Sequence, residues 1–262
     1  GLLNTLCFLS HDHHRRPAAQ IAEAKVAQVL AHPKIKVFTG TRIESMQGYI
    51  GNYQVALKTD GSGAGATLDI STVIVATGMQ EIEPVGQFEY GNDPRVKTQL
   101  QLEAVLRRKQ LGSVSSVVMI NCVNSKNENR GCCTVGCHVA VKNAIAVKTL
   151  RKDADVFILY RDMSLVREEG AAQQQAKQLG VKFLRFPDRR YPEVVKEGDR
   201  LRVRVYDLLA GREFEVPADL IVLTTALRGN ASVEQVKGLL KVSTDADGFF
   251  QEAHVKLAPL EF

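Results

Sequence analysis

No stretch of the 262-residue sequence approaches the roughly 18–20 consecutive apolar residues that a membrane-spanning helix needs, which excludes a helical span. The first residues, GLLNTLCF, carry neither a starting methionine nor a basic-then-apolar leader, so the sequence reads as a fragment or a processed chain. Concentrated charge is also missing: 34 basic and 29 acidic residues leave a formal +5, scattered along the chain. A nucleic-acid binder would cluster its basic residues on one face, so nucleic acid is not an expected partner. Cysteine is scarce, with five residues too unevenly placed for a secreted disulfide scaffold. Repeats and low-complexity tracts are absent, as is any legible acid–base pair or nucleophilic triad. What remains is 45% hydrophobic and 24% charged, the balance of a globular protein with room for one large domain or two ordinary ones.

Periodicity predicts a helix at residues 18–30, stopped by His32-Pro33, and then a short strand in KIKVFTG. TRIESMQGYIGNYQVALKTDG alternates like an exposed hairpin, and GSGAG at 61–65 supplies a turn rather than a phosphate loop, since it opens no helix. LDISTVIVATG at 68–78 reads as a buried strand, and the Gly- and Pro-rich stretch 79–94 as a crossover. Beyond it come a helix at 99–109, a strand at 116–120, a helix in HVAVKNAIAVKTLRK, the strand DVFILY, a helix in EEGAAQQQAKQLG and the strand VKFLRF. RLRVRVYDLLAGREFEVPADLIVLTT gives a hairpin and another buried strand. Strands alternating with helices predict an α/β fold with a mostly parallel, doubly wound sheet and a β-hairpin or meander.

Four of the five cysteines, Cys122, Cys132, Cys133 and Cys137, follow the 116–120 strand with spacing C-x9-C-C-x3-C. In a chain without an export signal, such crowding points to metal or redox chemistry, and the expected compartment is the cytoplasm. A [4Fe–4S] cluster takes four thiolates, commonly three close in sequence and one apart. Zinc also accepts four thiolates, but its C-x2-C knuckles are missing. A reactive Cys133–Cys137 disulfide departs from C-x-x-C. All three readings stay open on the residues alone. A nicotinamide site would need a Gly-x-Gly-x-x-Gly turn after the strand, and only Gly131 and Gly136 are present there.

STVIVATG, followed by a linker, a helix and a new strand, resembles flavoproteins with two dinucleotide-binding domains, such as thioredoxin reductase. That resemblance places Ala76, Thr77 and Gly78 close to FAD, and Gly78 would let the backbone leave the strand sharply. A closer resemblance lies in CVNSKNENRG at 122–131, the crowded cysteines and Ala140-x-Lys142-x-Ala144-Ile145. With GYIGNY at 48–53, DADV at 153–156, ADLIVL at 218–223 and DGFFQEAH at 247–254, these residues are similar to the A-subunit family of heterodisulfide reductase. Flavoprotein subunits of quinone-interacting membrane-bound oxidoreductases share the pattern. The resemblance implies a thioredoxin-reductase-like core with FAD and a [4Fe–4S] cluster ligated by Cys122, Cys132, Cys133 and Cys137. Two departures stand out: the family's Cys-Cys pair ends the loop where this chain has Gly136-Cys137, and LTTALRG replaces a second Ala-x-Gly turn.

The expected organisation is therefore part of an FAD-binding domain with its crossover at 1–108, an inserted NAD(P)-binding-like domain carrying the cysteine loop at 109–228, and a return segment at 229–262. The expected activity is that of an oxidoreductase subunit relaying electrons between FAD and the cluster to other redox subunits of a larger complex. Any membrane association would come through those partners. The alternatives are an NAD(P)H-dependent flavin disulfide reductase using Cys133 and Cys137, or a zinc-stabilised scaffold. Phe8–Asp12 are candidates for lining the flavin, His254 for flavin proximity or capping, and His11, Asp12, His13 and His14 for surface loop. Cys7 is expected as a small packing residue, and Glu128, Asn129 and Arg130 as residues that order the loop.

Overall fold

A computed structural model describes residues 2–9, 16–61, 65–165 and 170–262. The chain divides into two compact units, each drawn from two separate stretches: 1–25 with 81–226, and 26–80 with 227–262. In chain order, α1 (Ala18–Ala31) precedes strands β1 (Thr41–Tyr49), β2 (Asn52–Thr59), β3 (Gly65–Ile70), β4 (Met79–Glu81) and β5 (Val96–Thr98). Then come α2 (Gln99–Arg107), β6 (Ser116–Val123), α3 (Gly136–Leu150), β7 (Asp155–Tyr160), α4 (Gly170–Gln178) and β8 (Lys182–Arg185). Strands β9 (Glu193–Glu197), β10 (Arg200–Asp207), β11 (Arg212–Ala218), β12 (Leu220–Thr225) and β13 (Leu227–Gly229) lead to α5 (Val233–Leu240). Among the described residues no helix is long and apolar enough to cross a membrane.

The unit of residues 26–80 and 227–262 is built on an antiparallel meander, β1-β2-β3, with a register shift between Ile43 and Ser45. Gln235 of α5 donates to the Ile43 carbonyl at 3.1 Å, tying that helix to β1. Gly229 and Gly248 meet backbone to backbone; a Cβ on Gly229 would lie 2.1 Å from the Gly248 carbonyl oxygen. Two expected strands do not form. Residues 34–40 are irregular, and the strand predicted at 68–78 ends at Ile70, leaving 71–78 without a ladder partner among the described residues. β-branched residues suit a pleated surface, but a strand exists only where a neighbour takes its N–H and C=O groups. Ile74 is accordingly 90% exposed. Of the GSGAG turn, residues 62–64 lie outside the described residues.

The other unit holds the parallel sheet, ordered β5-β12-β6-β7-β8. Because helices cover one face and the β9-β10-β11 meander the other, its central strands are apolar on both sides, as parallel sheets require. On one face Val117, Met119, Val156, Ile158 and Val222 pack with Leu102 and Leu106 of α2 and with Ala140, Ala144 and Val147 of α3. On the opposite face Val118, Ile120, Leu159, Ile221 and Leu223 pack with Leu201, Val203, Val205 and Val216 of the meander. Each buried Val, Leu, Ile or Met among them contributes roughly 1.5–3 kcal/mol of gross burial. Thr98 caps α2 in a reciprocal box with Gln101, so the following residue, Gln99, begins the helix at a fixed angle over the sheet.

Beneath α2 and α3 lies a buried ion pair. Glu103 is 0% exposed and pairs with Lys142, which is 5% exposed and also donates to the Phe8 carbonyl at 3.0 Å. The Cys7 amide donates to Glu103 at 2.7 Å, and its thiol donates to the Glu103 carbonyl at 3.1 Å. Burial, and next the Glu103 charge, push the Cys7 thiol up to about 12. Removing one partner of a buried pair strands the other charge, so Glu103→Ala is expected to cost about 3–5 kcal/mol in chemical denaturation, most of it recovered in a Glu103→Leu/Lys142→Met double variant. The raised thiol also carries a sign. The folded chain holds this proton more tightly than the unfolded chain, so its stabilisation is complete below an ordinary thiol value of about 8.5 and is lost as pH climbs toward 12. Melting curves between pH 7 and 11 should therefore fall less steeply for Cys7→Ala than for the wild type.

Candidate functional site

Strand β6 ends in a bulge. Ile120 pairs with Leu223 and Val123 with Thr225, so β6 advances three residues while β12 advances two. The extra residue falls at Asn121–Cys122, and Cys122 takes a left-handed φ of 64°. A bulge bends the strand and re-aims its side chains, and here it starts the cysteine loop. Further left-handed non-glycine residues follow at Asn124, Lys126 and Thr134 (φ 58°, 51° and 57°), each an uncommon conformation held by its surroundings.

Those surroundings are specific. Asn127 Oδ1 accepts from the amides of Asn129 and Arg130, both at 2.9 Å, closing the loop tip. Asn129 and Arg130 thus take part in the tip through their amides, with the Asn127 side chain as the acceptor. Arg161, 5% exposed at the end of β7, donates to the carbonyls of Ser125 and Lys126. Asp162 receives Lys126 and also Arg185, the latter at 3.0 Å. The Cys137 thiol faces the Asp162 carbonyl at 3.7 Å.

This loop occupies the crevice beyond the carboxyl ends of β6 and β12. In doubly wound sheets, strand order reverses at this point and dinucleotide pyrophosphates sit on the following helix N-terminus. Here a sulfur fills that place. A Cβ built on Gly136, the first residue of α3, would lie 2.8 Å from Cys133 Sγ and 2.5 Å from Thr224 Cγ2. Val135, the residue before α3, offers no side-chain cap to that helix end.

All five cysteines are free. Cys122 and Cys137 are buried, Cys133 is half-buried and Cys132 is exposed. Burial pushes the Cys137 thiol up to about 11, and the charges of Cys122, Cys133 and Cys132 push it the same way. Burial likewise raises Cys133, opposed by the Gly136 amide and reinforced by Cys132 and Cys122. The Lys126 ammonium is held above its usual range by Asp162 first, and also by Cys122 and Cys132. The four thiols predicted from sequence thus share one electrostatic neighbourhood. Among the described residues, however, no three His, Cys, Asp or Glu side chains converge into a ready metal-binding group.

The remaining predicted residues stand elsewhere. Ala76, Thr77 and Gly78 belong to the unit of residues 26–80 and 227–262; Asn230 donates to the Thr77 carbonyl at 3.0 Å, and Gly78 is left-handed with φ 76°. His254 is exposed and caps a turn, its Nδ1 accepting from the amides of Lys256 and Leu257 at 3.2 and 3.1 Å. Phe8 lies under the Lys142 ammonium, 5.4 Å from its ring centre. His11, Asp12, His13 and His14 are outside the described residues. Sequence reasoning missed Arg161 and a buried polar group of Gln99, Asn121, Asn143 and Thr224. Their signal was a polar residue ending an otherwise apolar strand: Asn121 after SVVMI and Thr224 after LIVL.

The close contact at Gly136 gives a direct test. Gly136→Ala is expected to lose about 1–3 kcal/mol to overpacking, whereas Gly131→Ala, with nothing within 4 Å, should stay within about 0.5 kcal/mol in the same denaturation series.

No family model matches the chain. Curated relatives do. The chain is 31% identical over 225 residues to the A-subunit of H(2):CoB-CoM heterodisulfide,ferredoxin reductase from Methanothermobacter marburgensis, covering 79% of this chain and 34% of the relative. It is 32% identical over 217 residues to an iron-sulfur A-subunit of CoB--CoM heterodisulfide reductase from Methanopyrus kandleri, covering 74% of this chain and 32% of that protein. It therefore spans about a third of the length of the curated relatives it matches. Among solved structures, Lactococcus lactis thioredoxin reductase aligns with a TM-score of 0.59 at 16% identity, covering 100% of this chain and 77% of that one. With a thioredoxin-reductase-like α/β fold and this sequence identity, the chain is a homologue of the heterodisulfide reductase A-subunit over the third of that protein it spans.

Proposed function

We propose that this chain is an electron-transfer segment of an oxidoreductase subunit, with Cys122, Cys132, Cys133 and Cys137 as the ligands of a [4Fe–4S] cluster and Ala76, Thr77 and Gly78 beside FAD. The observation that carries the reading is the replacement of a dinucleotide loop by thiols, with the Cys133 sulfur standing on the N-terminus of α3. The donor set suits the group chemically. Beyond burial, the charges of neighbouring thiols raise Cys133 and Cys137, a repulsion that bound iron would relieve. Gly78 is left-handed, and a Cβ there would meet only the Asn230 side-chain nitrogen, at 3.9 Å, so it offers a backbone edge that a flat ligand could approach.

When bound, FAD supplies paired-electron chemistry and the cluster single-electron steps. The chain's own residues position these groups. Arg161 fixes the first half of the loop through two carbonyls, and Lys126 places positive charge near Cys122 and Cys132. The Gly136 amide and the N-terminal end of α3 favour negative charge on Cys133. Thiols at the nucleotide position speak against a self-contained NAD(P)H-dependent reductase. The names of the relatives support work within a larger complex, where other redox subunits would exchange electrons with this one.

Anaerobically purified protein should contain about four irons and four acid-labile sulfides per chain, with a visible band that dithionite bleaches. Cys122→Ala should lose most of that iron. Zinc, or no metal with titratable thiols in its place, would overturn the cluster assignment.

A further inference from the structure

Under the cysteine loop, four buried side chains form one hydrogen-bonded chain whose direction is fixed. Asn143 Nδ2 of α3 donates to Gln99 Oε1 at 2.9 Å. Gln99 Nε2, at the start of α2, donates to Thr224 Oγ1 at 3.0 Å. The Thr224 hydroxyl, with its single proton, donates to Asn121 Oδ1 at 2.7 Å. Every member is at least nine-tenths buried, and the run links four elements: α3, α2, β12 and β6. All donors point the same way, so the bonds polarise one another.

Such a chain has two loose ends, and both are visible. Among the described residues, Asn143 Oδ1 is an acceptor without a donor and Asn121 Nδ2 is a donor without an acceptor; each is buried. An unpaired buried donor costs roughly 1–3 kcal/mol, so its retention calls for a partner. The donor end lies at the β6 bulge, on the residue preceding Cys122. Thr224 reaches the same place from β12, where its methyl group and the Cys133 sulfur share the space above Gly136.

We propose that Asn143, Gln99, Thr224 and Asn121 form a polarised amide relay that presents the Asn121 N–H to sulfur-borne negative charge on the cysteine loop. Asn121 and Thr224 are positioning residues here: they set the energy of that charge without being ligands. The charge can come from a thiolate of the loop or from a metal–sulfur centre it holds. Only the second source rests on the cluster reading above.

Thr224 separates the relay from simple packing. Thr224→Val keeps the shape and the methyl group but breaks the relay; Thr224→Ser keeps the hydroxyl and drops the methyl group. Asn121→Leu removes the terminal donor. If the purified chain holds iron, the readout is the midpoint potential of its EPR signal. Losing a donor to the reduced, more negative state should lower the potential in Asn121→Leu and Thr224→Val, by an amount corresponding to a tenfold change in the reduction equilibrium, about 59 mV for one electron. If the chain holds no iron, the readout is iodoacetamide alkylation at pH 7. One unit of lost thiolate stabilisation cuts the thiolate fraction tenfold while nucleophilicity rises about threefold, so a net slowing of about threefold is expected. In either arm Thr224→Ser should match the wild type. The relay is refuted if Asn121→Leu and Thr224→Val leave the readout unchanged, or if Thr224→Ser moves it as far as Thr224→Val. An alkylation effect in iron-free protein would uphold the relay while removing the cluster.

Discussion

Strand β6 is buried at all eight of its positions, between helices on one face and a meander on the other. A strand so placed cannot release a polar side chain to water, so each one needs a partner from a neighbouring element. The side-chain oxygens of Ser116 and Asn121 are both met from β12 and its approach: Ser116 Oγ donates to the Pro217 carbonyl, and Asn121 Oδ1 accepts from Thr224. The bulge at Asn121–Cys122 then turns the chain out of the sheet, so the cysteine loop departs from the best-buried part of the unit. The loop's position follows from that burial.

The loop itself is organised from the far side by charge. Arg161 and Asp162 close β7, and between them they grip two loop carbonyls, Lys126 and the Cys137 region. Asp162 sits below the usual carboxylate range because Lys126, and then Arg185, hydrogen-bond to it. A single strand end therefore holds both halves of the loop, which explains how several left-handed non-glycine residues persist there.

The parallel sheet was readable because its strands are short apolar runs separated by amphipathic segments. DVFILY became β7 with the bounds the sequence suggested, and the cysteine loop falls where a nucleotide turn would open α3. Prediction failed where structure depends on a neighbour. Residues 71–78 carry every local signal of a strand, yet have no ladder to join among the described residues. KIKVFTG failed for the same reason. In the opposite direction, β9 was missed because EVVKE is mostly charged and forms only as a partner of β10. Within the site, thiol positions were legible from spacing, but the bulge, the Gly136 contact and the amide run were not. The amide run, for one, needs residues 125 and 103 positions apart to meet across α2, β6 and β12.

The two units are interleaved along the chain, and that order has a consequence for biosynthesis. Residues 26–80 emerge before the unit of 81–226 exists, but their companion stretch starts only at 227. At about 5–20 residues per second, roughly seven to thirty seconds of translation separate the two halves. Within the sheet, β5 is likewise made more than a hundred residues before β12, the only strand it pairs with among those described. Until then the meander must survive on its own local pairings, and Val96 of β5, buried in the folded unit, waits for the strand it pairs with. This protein's vulnerable period is therefore its synthesis, when a holdase would have the most surface to cover.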